Sequence, residues 1–164
     1  MSEKLADIQY NFINLPSRIE FENGHVISYL YDADGIKLRT THIIGSDTTV
    51  TDYCGNVIYE NGIPVKLLTE AGYVTLADSK YHYFVQDHLG NNRVVVDQSG
   101  NVEEVNHYYP FGGLLSSSVS NAVQPYKYNG KELDRKNGLD WYDYGACMYD
   151  AALGRWHAVD PMSE

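Results

Sequence analysis

What most constrains this chain is how regularly it must turn. Asn-Gly occurs at Asn23-Gly24, Asn61-Gly62, Asn129-Gly130 and Asn137-Gly138, and both residues tolerate the positive φ that a two-residue hairpin requires. Asp-x-x-Gly occurs at Asp32–Gly35, Asp52–Gly55, Asp87–Gly90 and Asp97–Gly100, with Asp suited to the first and Gly to the fourth position of a type I turn. Three of these four continue with Asn, and Asn11-x-x-Asn14 is a degenerate copy ahead of Leu15-Pro16. With weaker turns near Ser46-Asp47, Glu70-Ala71-Gly72 and Ala77-Asp78-Ser79, the chain reverses about every ten residues between residues 11 and 112. The spacing predicts an all-β fold, a long antiparallel meander of short hairpins forming a curled sheet.

The segments between turns carry strand chemistry. The 15 tyrosines sit in short runs bounded by Gly, Asn and Asp rather than at helical spacing. In Val26-Ile27-Ser28-Tyr29-Leu30-Tyr31 the residues Ile27, Tyr29 and Tyr31 share one side, whereas Arg93-Val94-Val95-Val96-Asp97 is apolar on both. One face should be well buried and the other partly aromatic, partly wet. The stretch from Gly138 through Tyr149-Asp150 and on to Trp156 interleaves rings with acids and glycines, a pattern that paves a sheet and places Asp and Gly at its corners. Residues 113–127, with Ser116-Ser117-Ser118, lack alternation and read as a loop crossing to the final segment.

At 164 residues the chain is long enough for a single domain (1–164) that buries roughly two-thirds of its unfolded surface. Its 12 basic and 22 acidic side chains give a net charge of −10, and no basic patch stands out, so nucleic acid and anionic membrane are repelled. No run approaches the roughly 18 apolar residues of a membrane helix, and Met1-Ser2-Glu3-Lys4 opens without a secretory apolar region, so neither membrane insertion nor a signal peptide is expected. Cys54 and Cys147 form no CxxC pair and read as buried small hydrophobes.

No constellation rises to catalysis. Asp32-Ala33-Asp34-Gly35 resembles the start of a calcium loop, but the pattern is not completed, and turn chemistry is the better reading. His82, His88, His107 and His157 form no HxH or i, i+4 pair, so no metal and no cofactor is expected. Ser116-Ser117-Ser118 has no GxSxG elbow, and Cys147 has no nucleophile signature. Trp141, Tyr142, Tyr144 and Trp156 could stack on sugars and are the candidate binding residues, although such rings more often fill a core.

Several motifs occur together: Tyr31-Asp32-Ala33-Asp34-Gly35-Ile36-Lys37-Leu38-Arg39, Asp87-His88-Leu89-Gly90-Asn91-Asn92-Arg93, Tyr108-Tyr109-Pro110-Phe111-Gly112, Tyr128-Asn129-Gly130-Lys131-Glu132 and the tail from Gly138 to Pro161. Together they resemble the RHS/YD-repeat proteins and their RHS-repeat-associated core. Residues 8–80 are similar to divergent YD-type repeats and residues 81–164 to the start of the core. The resemblance implies part of an RHS-like β-shell, a non-catalytic structural module that encapsulates or displays a C-terminal effector. Its implied partners are other parts of such a shell, its effector, or further copies of the chain in a homo-oligomer. Full-length relatives of this kind resemble secreted or cell-surface bacterial proteins.

Two alternatives stay open beside the structural one: a carbohydrate- or protein-binding module using the aromatic face, and the remnant of an aspartyl autoprotease core. Arg155 and Asp160-Pro161 match the start of the region where, by resemblance, self-cleaving cores place paired aspartates. The chain ends at Glu164, before the matching second aspartate, so it reads as C-terminally truncated and self-cleavage is not expected. Cys147 stands where the family pattern has an arginine, which removes a group suited to bridging Asp143 or Asp150.

Overall fold

A computed structural model describes residues 4–118 and 124–158. Eleven strands follow one another in the order of the sequence and pair antiparallel with their neighbours: β1 (Leu5–Tyr10), β2 (Pro16–Phe21), β3 (Val26–Tyr31), β4 (Lys37–Ile44), β5 (Asp47–Cys54), β6 (Val57–Glu60), β7 (Ile63–Thr69), β8 (Gly72–Thr75), β9 (Lys80–Gln86), β10 (Asn92–Asp97) and β11 (Val102–Val105). A second sheet of four strands, β12 (Glu132–Asp134), β13 (Trp141–Asp143), β14 (Met148–Asp150) and β15 (Arg155–Trp156), is also an antiparallel meander. Among the described residues 53% are in strands and 4% in helices, the latter being single 3-10 turns at Tyr128–Gly130 and Lys136–Gly138. The meander read from the turns is therefore the observed fold.

The turns repeat at atomic detail. At Asp32, Asp87 and Asp97 the Oδ1 atom accepts the backbone N–H groups two and four residues on. The residue three along donates its N–H to the aspartate carbonyl. Gly35, Gly90 and Gly100 occupy that position with φ of 81°, 78° and 85°. Asn11 reproduces the pattern with Asn14 at φ 59°. Asn91 and Asn101, which follow the glycines, reach back with Nδ2 to the second oxygen of Asp87 and Asp97.

The reading of Asp52 as the first residue of such a turn is corrected. It lies within β5, opposite Arg39 and Tyr59, and binds the Arg39 guanidinium. The reversal falls two residues later than that reading placed it, on Gly55 (φ 63°) and Asn56, because Cys54 and Val57 already pair and a two-residue hairpin suffices. Cys54 at that strand end is exposed, against the expectation of burial, whereas Cys147 is buried.

The inner face of the large sheet holds the core. Ile19 and Phe21 of β2 and Ile27 and Tyr29 of β3 pack against Trp141 and Met148 of the second sheet and Leu139 of the β12–β13 connection, with Ile8 and Tyr31 at the margin. Further along, the inner positions turn polar: Thr40, His42, His82 and Glu104 are all buried. Residues 106–118 and 124–158 lie across this face. Their second sheet sits on β2–β5, while the Tyr126 and Lys127 carbonyls accept from Asn92 of β10 and the Lys127 amine pairs with Glu104 of β11. On the outer face, Tyr81, Tyr83, Val85 and Val102 lie exposed, with Tyr83 opposite Val96 and Val85 opposite Val94.

Candidate functional site

The second sheet is joined to the first by carboxylates. Glu132 and Asp143, which stand opposite each other on β12 and β13, each place an oxygen 2.7 Å from Lys37 Nζ at the start of β4. Like charges directly across a strand pair repel, so the lysine between them is what makes the pairing tolerable. Burial alone would depress its amine, but Glu132, Tyr53 and Asp143 outweigh burial and hold Lys37 well above the ordinary lysine value. Tyr53 donates to the other oxygen of Glu132, and the Tyr53 and Tyr29 rings lie 4.7 Å and 5.9 Å from Nζ.

Asp134 forms the second joint. His42 Nε2 approaches both its oxygens, at 3.1 and 3.0 Å, and the Tyr29 hydroxyl donates to one of them at 2.9 Å. Burial would raise this carboxyl, but the His42 contact and the Tyr29 hydrogen bond prevail and keep Asp134 below the usual carboxylate range. Burial and the same carboxylate push the Tyr29 hydroxyl well up. At the far end Glu104 takes Asn106, Gln124 and Lys127 together. Burial pulls the Lys127 amine below its ordinary value despite that carboxylate.

Between these joints lies a cavity of about 540 Å³, lined by side chains that include His42, Tyr53, Lys66, Lys127, Glu132 and Asp134. Its charged groups are tied to partners within and beyond the lining: His42 to Asp134, Glu132 to Lys37, Lys127 to Glu104 and Arg135 to Asp140. Among the described residues no group of three or more His, Cys, Asp or Glu side chains could hold a metal ion.

The candidate binding residues separate. Trp141 and Tyr142 are 2% and 1% exposed, which corrects their reading as a binding surface. Alternation would have left one of them wet, but residues 108–115 cover the other side of β13, where Tyr142 donates to the Gly112 carbonyl and its ring meets Tyr128. Tyr144 is half-buried and Trp156 is 52% exposed. With Tyr149 they form a ring cluster with centroids 4.9–6.0 Å apart.

Arg155 is exposed at the edge of the second sheet on β15, paired with Asp150, and Asp160 lies outside the described residues. His82 stacks on Tyr73 and meets Glu103, and His157 lies against Trp141 near Asp150. His88 is exposed and His107 half-buried. Cys147, which stands where the family pattern has an arginine, is buried, and Asp143 is answered by Lys37 instead.

Sequence reasoning missed Lys37, His42, Glu104, Lys127, Glu132 and Asp134. The available signal was parity: Thr40 and His42 are successive residues on one face of β4, ahead of Ile44, and two polar residues in a row at inward positions mark a polar interior.

No protein-family model matches the chain. Salivary gland surface protein 1 of Aedes aegypti is 28% identical over 190 aligned residues, covering 100% of this chain and 6% of that protein. Toxin subunit YenC1 of Yersinia entomophaga is 30% identical over 128 residues, 68% of this chain and 13% of the subunit. The chain thus spans only a small part of the relatives it matches. The crystal structure of TcdB2-TccC3-TEV superposes with a TM-score of 0.78 at 17% identity, over 94% of this chain and 9% of that one. A Photorhabdus luminescens Tc holotoxin pore superposes at 0.77 and 19%, over 96% of this chain and 9% of that one. The uninterrupted meander, its YD-type turns and these relatives agree, and the chain belongs to the RHS/YD-repeat family.

Proposed function

We propose that this protein is a segment of a toxin-type RHS shell wall, a structural module that helps enclose or display an effector and performs no turnover of its own. The observation that carries this reading is the open eleven-stranded sheet. β1 and β11 each have one paired side among the described residues, and the inner face already carries residues 106–118 and 124–158. Unpaired edges recruit further strands, and the exposed Tyr81, Tyr83, Val85 and Val102 add apolar surface. The partners are neighbouring strands of a longer shell or a second copy of the chain, in a secreted or surface-exposed setting.

Light scattering over a range of concentrations tests this. Twice the chain mass of 18.5 kDa or more is expected, and proline at Gln9 within β1 should restore monomer. A monomer at every concentration contradicts the reading. No backbone cleavage is expected either, so the polypeptide should stay whole and Asp160→Asn should behave like the parent. Scission lost in that variant favours the autoprotease.

A second reading keeps support from Trp156, whose ring is open beside Tyr149: a carbohydrate- or protein-binding surface. A glycan array that gives a signal abolished by Trp156→Ala would favour it.

A further inference from the structure

We propose that Lys37 and Asp143 join covalently as an intramolecular isopeptide bond, with Glu132 as the proton carrier, so that the second sheet is riveted to the first. The reactants are in place. Lys37 Nζ lies 2.7 Å from Asp143 Oδ2, and the carboxyl carbon is one C–O bond beyond, the separation of a near-attack arrangement. Side chains of all three residues are shielded, with 8% of Lys37, 14% of Asp143 and 19% of Glu132 exposed. Tyr29 and Tyr53 wall the amine.

Each carboxylate has a different second partner, and this assigns the roles. Asp143 Oδ1 accepts the backbone N–H of Gly145 at 2.7 Å, a fixed donor aimed at the oxygen on which negative charge develops when the carbon is attacked. Glu132 keeps Oε2 on the same amine, while Tyr53 anchors Oε1. Glu132 therefore sits where it can take a proton from nitrogen and hand it to the departing oxygen.

The step balances without any co-reactant. The Nζ–Cγ bond forms and the Cγ–Oδ2 bond breaks. Of the three ammonium protons one stays on the amide and two leave with Oδ2 as water, and the charges of Lys37 and Asp143 cancel. Glu132 lines the adjoining cavity of about 540 Å³, which receives that water. The carboxylates hold Lys37 protonated at rest, so the reaction draws on the minor form with the proton on a carboxyl and is slow. Its product replaces a buried triad of net charge −1 by a neutral amide and one carboxylate.

The test is intact-mass spectrometry of the whole purified chain, incubated folded until its mass stops changing. The expected result is a loss of one water, and a digest containing one branched peptide in which the Lys37 segment is joined to the Asp143 segment. Lys37→Arg and Asp143→Ala should keep their full mass, and Glu132→Gln should slow the loss by roughly 10²-fold or more. The branched peptide in the parent needs no variant, so misfolding of a variant cannot obscure the answer. A parent that stays at its full sequence mass overturns the proposal. So does a water loss located at Asp34-Gly35 as an alkali-labile cyclic imide, or a link to Glu132.

Discussion

Gly100 turns the chain at φ 85° with nothing within 4 Å of the place a Cβ would occupy, so replacing it tests the backbone alone. Gly100→Ala should cost on the order of 1 kcal/mol, and Gly100→Asn less, because Asn tolerates the left-handed region. Denaturant melts of the pair check this. Gly72 differs: a Cβ there would fall 1.9 Å from the His82 carbonyl oxygen across the β8–β9 pairing. Gly72→Ala should therefore cost more than Gly100→Ala.

The turn aspartates also set an acid limit. Hydrogen bonds from the Asn91 and Asn101 side chains, with backbone donors behind them, hold Asp87 and Asp97 below the ordinary carboxylate value. A depressed folded-state value gives stability that is complete above the unfolded value near ~4 and is lost as pH falls through the folded one. Urea midpoints should drop below about pH 4, and Asp97→Asn, which keeps the turn but cannot titrate, should narrow the gap between neutral and acid midpoints. These turns were legible because Asp and Gly act locally. Asp52 was misread because the same letters occur where strand pairing with Arg39 and Tyr59 fixes the backbone instead.

At the scale of elements, the second sheet depends on Trp141, wedged among Ile19, Ile27 and Met148. Trp141→Ala should cost about 3–5 kcal/mol, whereas Trp156→Ala, at an open ring, should cost about 1 kcal/mol or less. Thermal melts of the two separate core from surface, and equal losses would contradict the packing described. The strands β13–β15 could be read from their Asp and Gly corners. That both faces of β13 are covered could not, because residues 108–115 reach Tyr142 only through the tertiary fold. The polar joints escaped for the same reason: Lys37 and Asp143 are far apart in sequence and meet only when the two sheets dock.

At the scale of the molecule, the antiparallel meander was legible because each strand pairs with the next in sequence, so local turns dictate global order. Which groups fill the space between the sheets was not, since that depends on where residues 106–158 lie. The account rests on an open wall that continues by edge pairing, and amide hydrogen exchange at increasing protein concentration tests it most directly. The prediction is slow exchange in β3–β10 and β13 throughout, with amides of β1 and β11 exchanging fast when dilute and becoming protected as the chain assembles. Assembly that leaves both edges unprotected, or edges already protected in the dilute monomer, would contradict it.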